Sequence, residues 1–329
     1  MMRSRSLIAI ATAVGVLTTA CSVDSPDPVT VPIARRVEVT TTTARAVAPI
    51  PCTPEEAVKS YRPSGSLPTP GNMPAGSYMQ EIFEHGKLIL GTSADVLQFG
   101  ARNPIKGGIE GFDVDMAHEV AAAIFGDFDR NKQSRLEFKI INYAQRIPSL
   151  RDDSVNMVAH TMTINCTRWT QIAFSSEYYR AGQKILVRQD SKRRAIGELD
   201  GDRVCVAKGS TNIEELQKYP TAVPVPVDDL GECLVLFQQG SIAAIIGDDT
   251  VLAGFAAQDP YAAVVGEQFT QEPYGLGIKL EHRDFVEFVN LVLERMRADG
   301  TWDEIYCRWL PDCSKGRAPV APPAAVYGR

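Results

Sequence analysis

Between Tyr78 and Cys313 short β-like runs alternate with helical patterns, and this alternation limits the fold more than any other feature of the chain. Lys87–Thr92, Leu136–Asn142, Val155–Thr161, Lys184–Arg188, Arg203–Ala207 and Ile242–Ile246 read as strands. Between the first two, Asp113–Phe125 places Val114, Ala117, Val120, Ala121 and Ile124 at helical spacing, with Asp113 and Asp115 near the positive N-terminal end. Further helices are expected near Asn212–Lys218, Gly231–Gln239 and Asp284–Asp299. Strands separated by helices imply an α/β fold with largely parallel sheets. The 329 residues are long enough for two domains, and no internal repeat is visible.

The flanks are of another kind. Arg3 and Arg5 precede the uncharged run Leu7–Ala20, and Cys21 follows at once. A short basic start, an apolar stretch and small residues before the cut describe a secretory signal over residues 1–20. As a helix the stretch would rise about 21 Å, short of a hydrocarbon core of about 30 Å. The junction Leu17-Thr18-Thr19-Ala20-Cys21 resembles a bacterial lipobox, with Thr18 where Leu is commoner. That resemblance implies lipidation of Cys21 and a folded part held outside the cell membrane by an anchor, not a span. Residues 22–77 carry 10 of the 21 prolines and a run of four threonines, so 21–77 reads as an extended tether. The segment 314–329, with Pro319, Pro322 and Pro323, reads as a flexible tail.

Six cysteines remain beyond Cys21: Cys52, Cys166, Cys205, Cys233, Cys307 and Cys313. An even number in an oxidising compartment implies disulfides, with about 15 pairings open. No CxxC occurs and the four histidines lack metal-ligand spacing, so neither metal nor cofactor is expected. Forty acidic against 34 basic residues argue against a nucleic-acid partner, and 44% hydrophobic content excludes wholesale disorder. The chain has no GxSxG elbow, phosphate loop or HExxH, which leaves no signature of an enzyme.

Three polar contexts remain. Thr161-Met162-Thr163-Ile164-Asn165-Cys166-Thr167-Arg168 pairs hydroxyls with a guanidinium, whose planar fork matches a carboxylate. Gly209-Ser210-Thr211 follows the run Val204–Ala207, where amides and hydroxyls suit an anion. Gly247-Asp248-Asp249 ends a β-like run and suits an ammonium. Taken singly, these read as a surface arginine, a turn and a helix cap.

Together they resemble the polar amino-acid-binding proteins of ABC importers, solute-binding family 3. Supporting stretches are Gly111–Ala117, Ala173–Tyr179, Pro273–Ile278 and Asp299–Tyr306, in the family's order over about Gly86–Leu310. Asp95–Pro104, the Cys205/Cys233 pair and the leader look most like actinobacterial glutamate/glutamine-binding lipoproteins. The resemblance implies the two-lobed type II periplasmic-binding-protein fold with a two-strand hinge. Lobe one would be 79–184 plus 272–313, and lobe two 185–271. It implies that Arg168 binds the ligand α-carboxylate, helped by Thr163 and by Thr211 with Ser210 across the cleft. The Thr161 carbonyl and Asp248 would take the α-ammonium. Arg146 and Lys208 become candidates for a ligand side-chain carboxylate, and Asp95 and Phe99 for the pocket wall. Ser93 stands where many relatives have an ammonium-binding Asp, and Asn156 replaces a usual Asp in a structural position. In this frame Cys205 pairs with Cys233 in lobe two and Cys307 with Cys313. Cys52 with Cys166 then ties the tether beside the Arg168 loop.

The implied function is capture of glutamate, glutamine, aspartate or asparagine by hinge closure, for delivery to a membrane permease. Two rivals share the fold. A sensor would report occupancy through a membrane partner to a kinase or regulator. An enzyme similar to arogenate dehydratase would need a general acid, and no residue takes that role.

Overall fold

The strand Leu88–Thr92 is apolar at nearly every position, a pattern that needs cover on both faces. In the computed structural model, which describes residues 52–128, 135–310, 313 and 316–329, it pairs in parallel with Leu136–Ile140 and with Met157–Val158. Gly277–Lys279 and Ile172–Phe174 complete this first five-stranded sheet in antiparallel fashion. The helix Phe112–Phe125 connects the first two strands and buries Met116, Val120 and Ile124, as its spacing requires. Asn156 has a structural part here: its Oδ1 accepts from the Ile89 amide and its Nδ2 donates to the Tyr78 hydroxyl.

A second sheet runs in the order Val223–Val227, Arg203–Ala207, Ala244–Asp248, Gln183–Arg188, Ala262–Val265. The first three strands are parallel, and Gln183–Arg188 is antiparallel to both its neighbours. Val223–Val227 was not among the expected strands because Pro224 and Pro226 cannot donate to a ladder. It survives as an edge: the Val223 amide faces the sheet and donates to Asp202 O, so both proline nitrogens fall on the open side.

The chain passes between the sheets twice, through Tyr179–Ala181 and Glu272–Tyr274, which pair with each other as a two-stranded hinge. The second sheet takes up the chain at Gln183, two residues before the expected boundary at 185. One apolar core runs through the first lobe and the inner face of the second, from Leu90 and Phe174 to Ile245, Leu252 and Phe255. A smaller core, with Ile185, Val206 and Ile246, lies on the outer face of the second sheet.

The expectation of a free tether and tail is corrected from Cys52 onward. Thr53 caps a short helix, Pro54–Ala57. Ser60 is fully buried and forms a bridge with Tyr327 of the tail. Asn290, on the long helix Arg283–Asp299, donates to Ser60 Oγ and Tyr61 O, while Arg297 donates to Pro323 O. Arg329 lies over Trp169 at 4.0 Å. The prolines exclude long helices, Pro54 standing at the first turn of a short one, but they do not exclude packing, because a fixed φ lowers the entropy lost on ordering. The disulfides are Cys52–Cys166, Cys205–Cys233 and Cys307–Cys313, the same three pairs that the resemblance implies. Cys21 and residues 1–20 lie outside the described residues.

Candidate functional site

Arg168 stands on the four-residue helix Cys166–Trp169, too short to persist unaided. Its supports are on all sides. Asn165 accepts from the Arg168 amide at 2.8 Å, the disulfide to Cys52 ties one end, and Trp169 Nε1 donates to Ala57 O at 2.7 Å. The buried guanidinium donates to Thr163 O at 2.7 Å and, across the lobes, to Gly209 O at 3.4 Å. Burial lowers its pKa, while Glu214, Glu272 and Asp248 favour its charge.

Asp248 ends the strand Ala244–Asp248 and is also buried. Its Oδ1 accepts from Asn212 Nδ2 at 2.9 Å and its Oδ2 from the Tyr274 hydroxyl at 2.5 Å. Burial first, and the neighbouring charge of Glu272 second, push its carboxyl up to about 7. Tyr274 belongs to the hinge, so this acid is held by both the second lobe and the hinge.

Arg146 is buried rather than solvated. Four carbonyls receive its N–H groups: Tyr143 O at 3.0 Å, His160 O at 3.1 Å, Thr161 O at 3.4 Å and Gly209 O at 3.1 Å. Of the five N–H groups of an arginine, about one is left for a ligand. Burial and the charge of Arg168 push it down to about 9. Thr161 sits at φ 42°, a conformation held by its amide donating to Asp113 Oδ2 at 2.7 Å. Asp113 also accepts from the Tyr178 hydroxyl, and burial raises it to about 6.

Other expected contacts are corrected. Lys208 is an exposed cation paired with Asp228 at 2.9 Å, away from the buried cluster. Ser210 donates to Ala207 O and accepts from the Ile213 amide, so its hydroxyl caps a helix. Ser93 donates to Gly100 O. Phe99 is fully buried among Phe112, Tyr179 and Tyr274, where it backs the hinge tyrosine. Asp95 reaches the other lobe, accepting from the Gly231 amide at the start of the helix Leu230–Gln238. Thr163 and Thr211 do meet across the lobes, but both hydroxyls donate to Glu272 Oε2, at 2.7 and 2.9 Å. A hydroxyl has one proton, so neither can also donate to a carboxylate.

Glu272, Asn212, Gln183 and Asp113 are not among the site residues read from sequence. Glu272 immediately precedes the Pro273–Ile278 stretch, yet no spacing rule marks a lone Glu on a three-residue strand. The cluster of Thr163, Gln183, Thr211 and Glu272 opens to a groove of about 520 Å³ shared by both lobes and the segment Cys52–Val58.

Closure has little slack at Gly209. The residue has φ +70°, and a Cβ added there would lie 2.8 Å from the backbone of Ala144 in the first lobe. Gly209→Ala should therefore hold the lobes apart, weakening ligand binding at least about tenfold, or ~1.4 kcal/mol. Calorimetry together with small-angle scattering checks this, the expected signature being a ligand that no longer compacts the molecule.

Residues 88–312 match the model of the bacterial extracellular solute-binding proteins, family 3. The ABC transporter glutamine-binding protein GlnH of Bacillus subtilis (strain 168) is 33% identical over 70% of this chain and 84% of its own length. The glutamate-binding protein GluB of Corynebacterium glutamicum is 31% identical over 71% and 82%. Among solved structures, an ancestral arginine-binding protein bound to glutamine superposes with a TM-score of 0.63 at 30% identity, covering 68% of this chain and 98% of its own. The chain belongs to the bacterial extracellular solute-binding proteins of family 3, with their two-lobed fold.

Proposed function

We propose that this protein captures a polar α-amino acid of the glutamate, glutamine, aspartate and asparagine class and delivers it to the permease of an ABC importer. One observation carries the reading: a buried arginine from the first lobe and a buried aspartate from the second lie close enough to feel each other's charge. An α-amino acid has one fixed anion and one fixed cation, so Arg168 takes the α-carboxylate and Asp248 the α-ammonium. Both lobes then touch the ligand, which shifts the open–closed equilibrium by its differential affinity. Arg146 offers its remaining N–H to the carbonyl or carboxylate of the ligand side chain. In this reading no chemical step is required: Asp248, held by Asn212 and the Tyr274 hydroxyl, serves as a fixed acceptor for the ammonium. The signal over 1–20 and lipidation of Cys21 would place the protein on the outer face of the cell membrane.

The test is a thermal-shift panel of common amino acids on protein lacking residues 1–21, unfolded and refolded to strip bound ligand. A ligand at about a thousand times its dissociation constant stabilises by about 4 kcal/mol, a rise of about 8–16 °C for a domain of this size. A large shift with one member of the class supports the reading and names the side chain. No shift with any amino acid would overturn it.

A further inference from the structure

We propose that Arg329 is a positioning residue for Arg168, closing a clasp that holds the carboxylate-binding guanidinium at its working angle. The inference rests on the amino-acid-binding reading above and deepens it. The clasp is built from residues 52–61 and 326–329, all of which lie outside the stretch 88–312 that matches the family. Support for the ligand-pairing arginine therefore comes from parts of the chain that the family pattern does not include.

Arg168 and Trp169 share the helix Cys166–Trp169, a single turn that takes its direction from what it packs against. The Trp169 ring makes that contact. Phe174 and Tyr61 meet it in T-shaped pairs, with centroids 5.5 and 5.9 Å away, and its Nε1 donates to Ala57 O at 2.7 Å. The Arg329 guanidinium lies over the same ring, its central carbon 4.0 Å from the centroid. Because Trp169 follows Arg168 directly, a ring free to tilt turns the Arg168 fork away from Thr163 O and from an incoming carboxylate.

The same guanidinium holds the facing helix. Its Nε donates to Lys59 O at 2.8 Å and its Nη2 to Glu56 O at 3.1 Å. These carbonyls stand at the end of the helix Pro54–Ala57, where a cationic side chain supports a helix. Backbone contacts fix the arginine in turn: the Gly328 and Arg329 amides donate to Ser60 O, and the Ser60 amide donates to Val326 O. Ser60 is itself anchored, its hydroxyl donating to Phe174 O and accepting from Asn290. One planar group thus joins two four-residue helices, each too short to persist alone, and the Cys52–Cys166 disulfide joins them again at the other end. Only a guanidinium serves, because its donors lie in its plane and leave a face free for the indole.

The experiment measures the affinity of the full folded protein for the tightest-binding of L-glutamate, L-glutamine, L-aspartate and L-asparagine. Calorimetry compares Arg329→Ala with the parent protein in two backgrounds, one with Arg168 and one with Arg168→Lys. A lysine ammonium has no plane to orient and so depends little on the clasp. The expected result is a loss of at least about fivefold where Arg168 is present and less than about twofold where it is Lys. Equal losses in both backgrounds, or a lower melting temperature with unchanged affinity, would make Arg329 merely structural and overturn the proposal. Should Arg329→Ala fail to fold, Arg329→Lys takes its place. It keeps the charge but cannot hold two carbonyls while lying flat on the ring, and the same dependence on background is expected. If the wild-type protein binds none of the four amino acids, it is the underlying reading that has failed, and the proposal falls with it.

Discussion

Replacing Arg168 by Ala raises the dissociation constant for the amino acid by at least about thirtyfold, or ~2–3 kcal/mol. The guanidinium is held in place by the Asn165 cap, the disulfide at Cys166 and the Trp169 anchor, none of which the substitution touches. What is lost is the group that pairs with the ligand α-carboxylate, which then enters a buried site without its planar two-donor partner. Arg168→Lys should recover only part of the loss. An ammonium is a point charge and cannot hold Thr163 O while presenting a fork to a carboxylate. Calorimetry on refolded protein checks both variants. Binding near the wild-type level in Arg168→Ala would show that the α-carboxylate lies elsewhere.

Asp248 makes binding depend on pH, and in the opposite sense to stability. Its carboxyl is pushed up to about 7 by burial and by Glu272. The ammonium of a bound amino acid favours the ionised form, so binding expels a proton wherever the free protein holds one. Affinity should therefore be constant above about pH 7 and fall by up to tenfold for each unit below it, the limit for one coupled proton. Glutamine is the ligand of choice, because none of its groups titrates between about pH 5 and 7. A dissociation constant that stays flat across this range would remove Asp248 from the ammonium contact.

For folding, a carboxyl raised above its unfolded value makes the native state bind the proton more tightly. Stability from this group is present below the unfolded pKa of about 4 and is lost as pH rises through about 7. Asp113, raised to about 6, adds a decline of the same sign. Asp248→Asn should accordingly abolish ligand binding yet raise the melting temperature of the ligand-free protein at pH 8, by about 2–4 °C per kcal/mol. A variant that both binds and melts like the wild type would contradict both halves of the argument.

Much of the fold could be read from the chain because it depends on local pattern. The strand Arg203–Ala207 and the helices near 212, 231 and 284 lie where periodicity places them, within a residue or so at their starts. Three-residue strands carry too few side chains for a period, so the hinge was legible only through resemblance. The tether and tail were misjudged for a different reason. Proline content reports what a segment cannot form by itself, whereas the burial of Ser60 depends on Asn290, 230 residues away.

The site divides in the same way. Sequence by itself determined which charges are present and that Arg168 and Asp248 suit a zwitterion, because residue type fixes what a group can donate or accept. Only the tertiary structure decided which of those donors remain available. It placed Lys208 with Asp228, bound Ser210 into a helix cap and brought Glu272 to both Thr163, 109 residues before it, and Thr211, 61 residues before it. A hydrogen-bonding group has few valences, and the fold assigns them through contacts far apart in the chain.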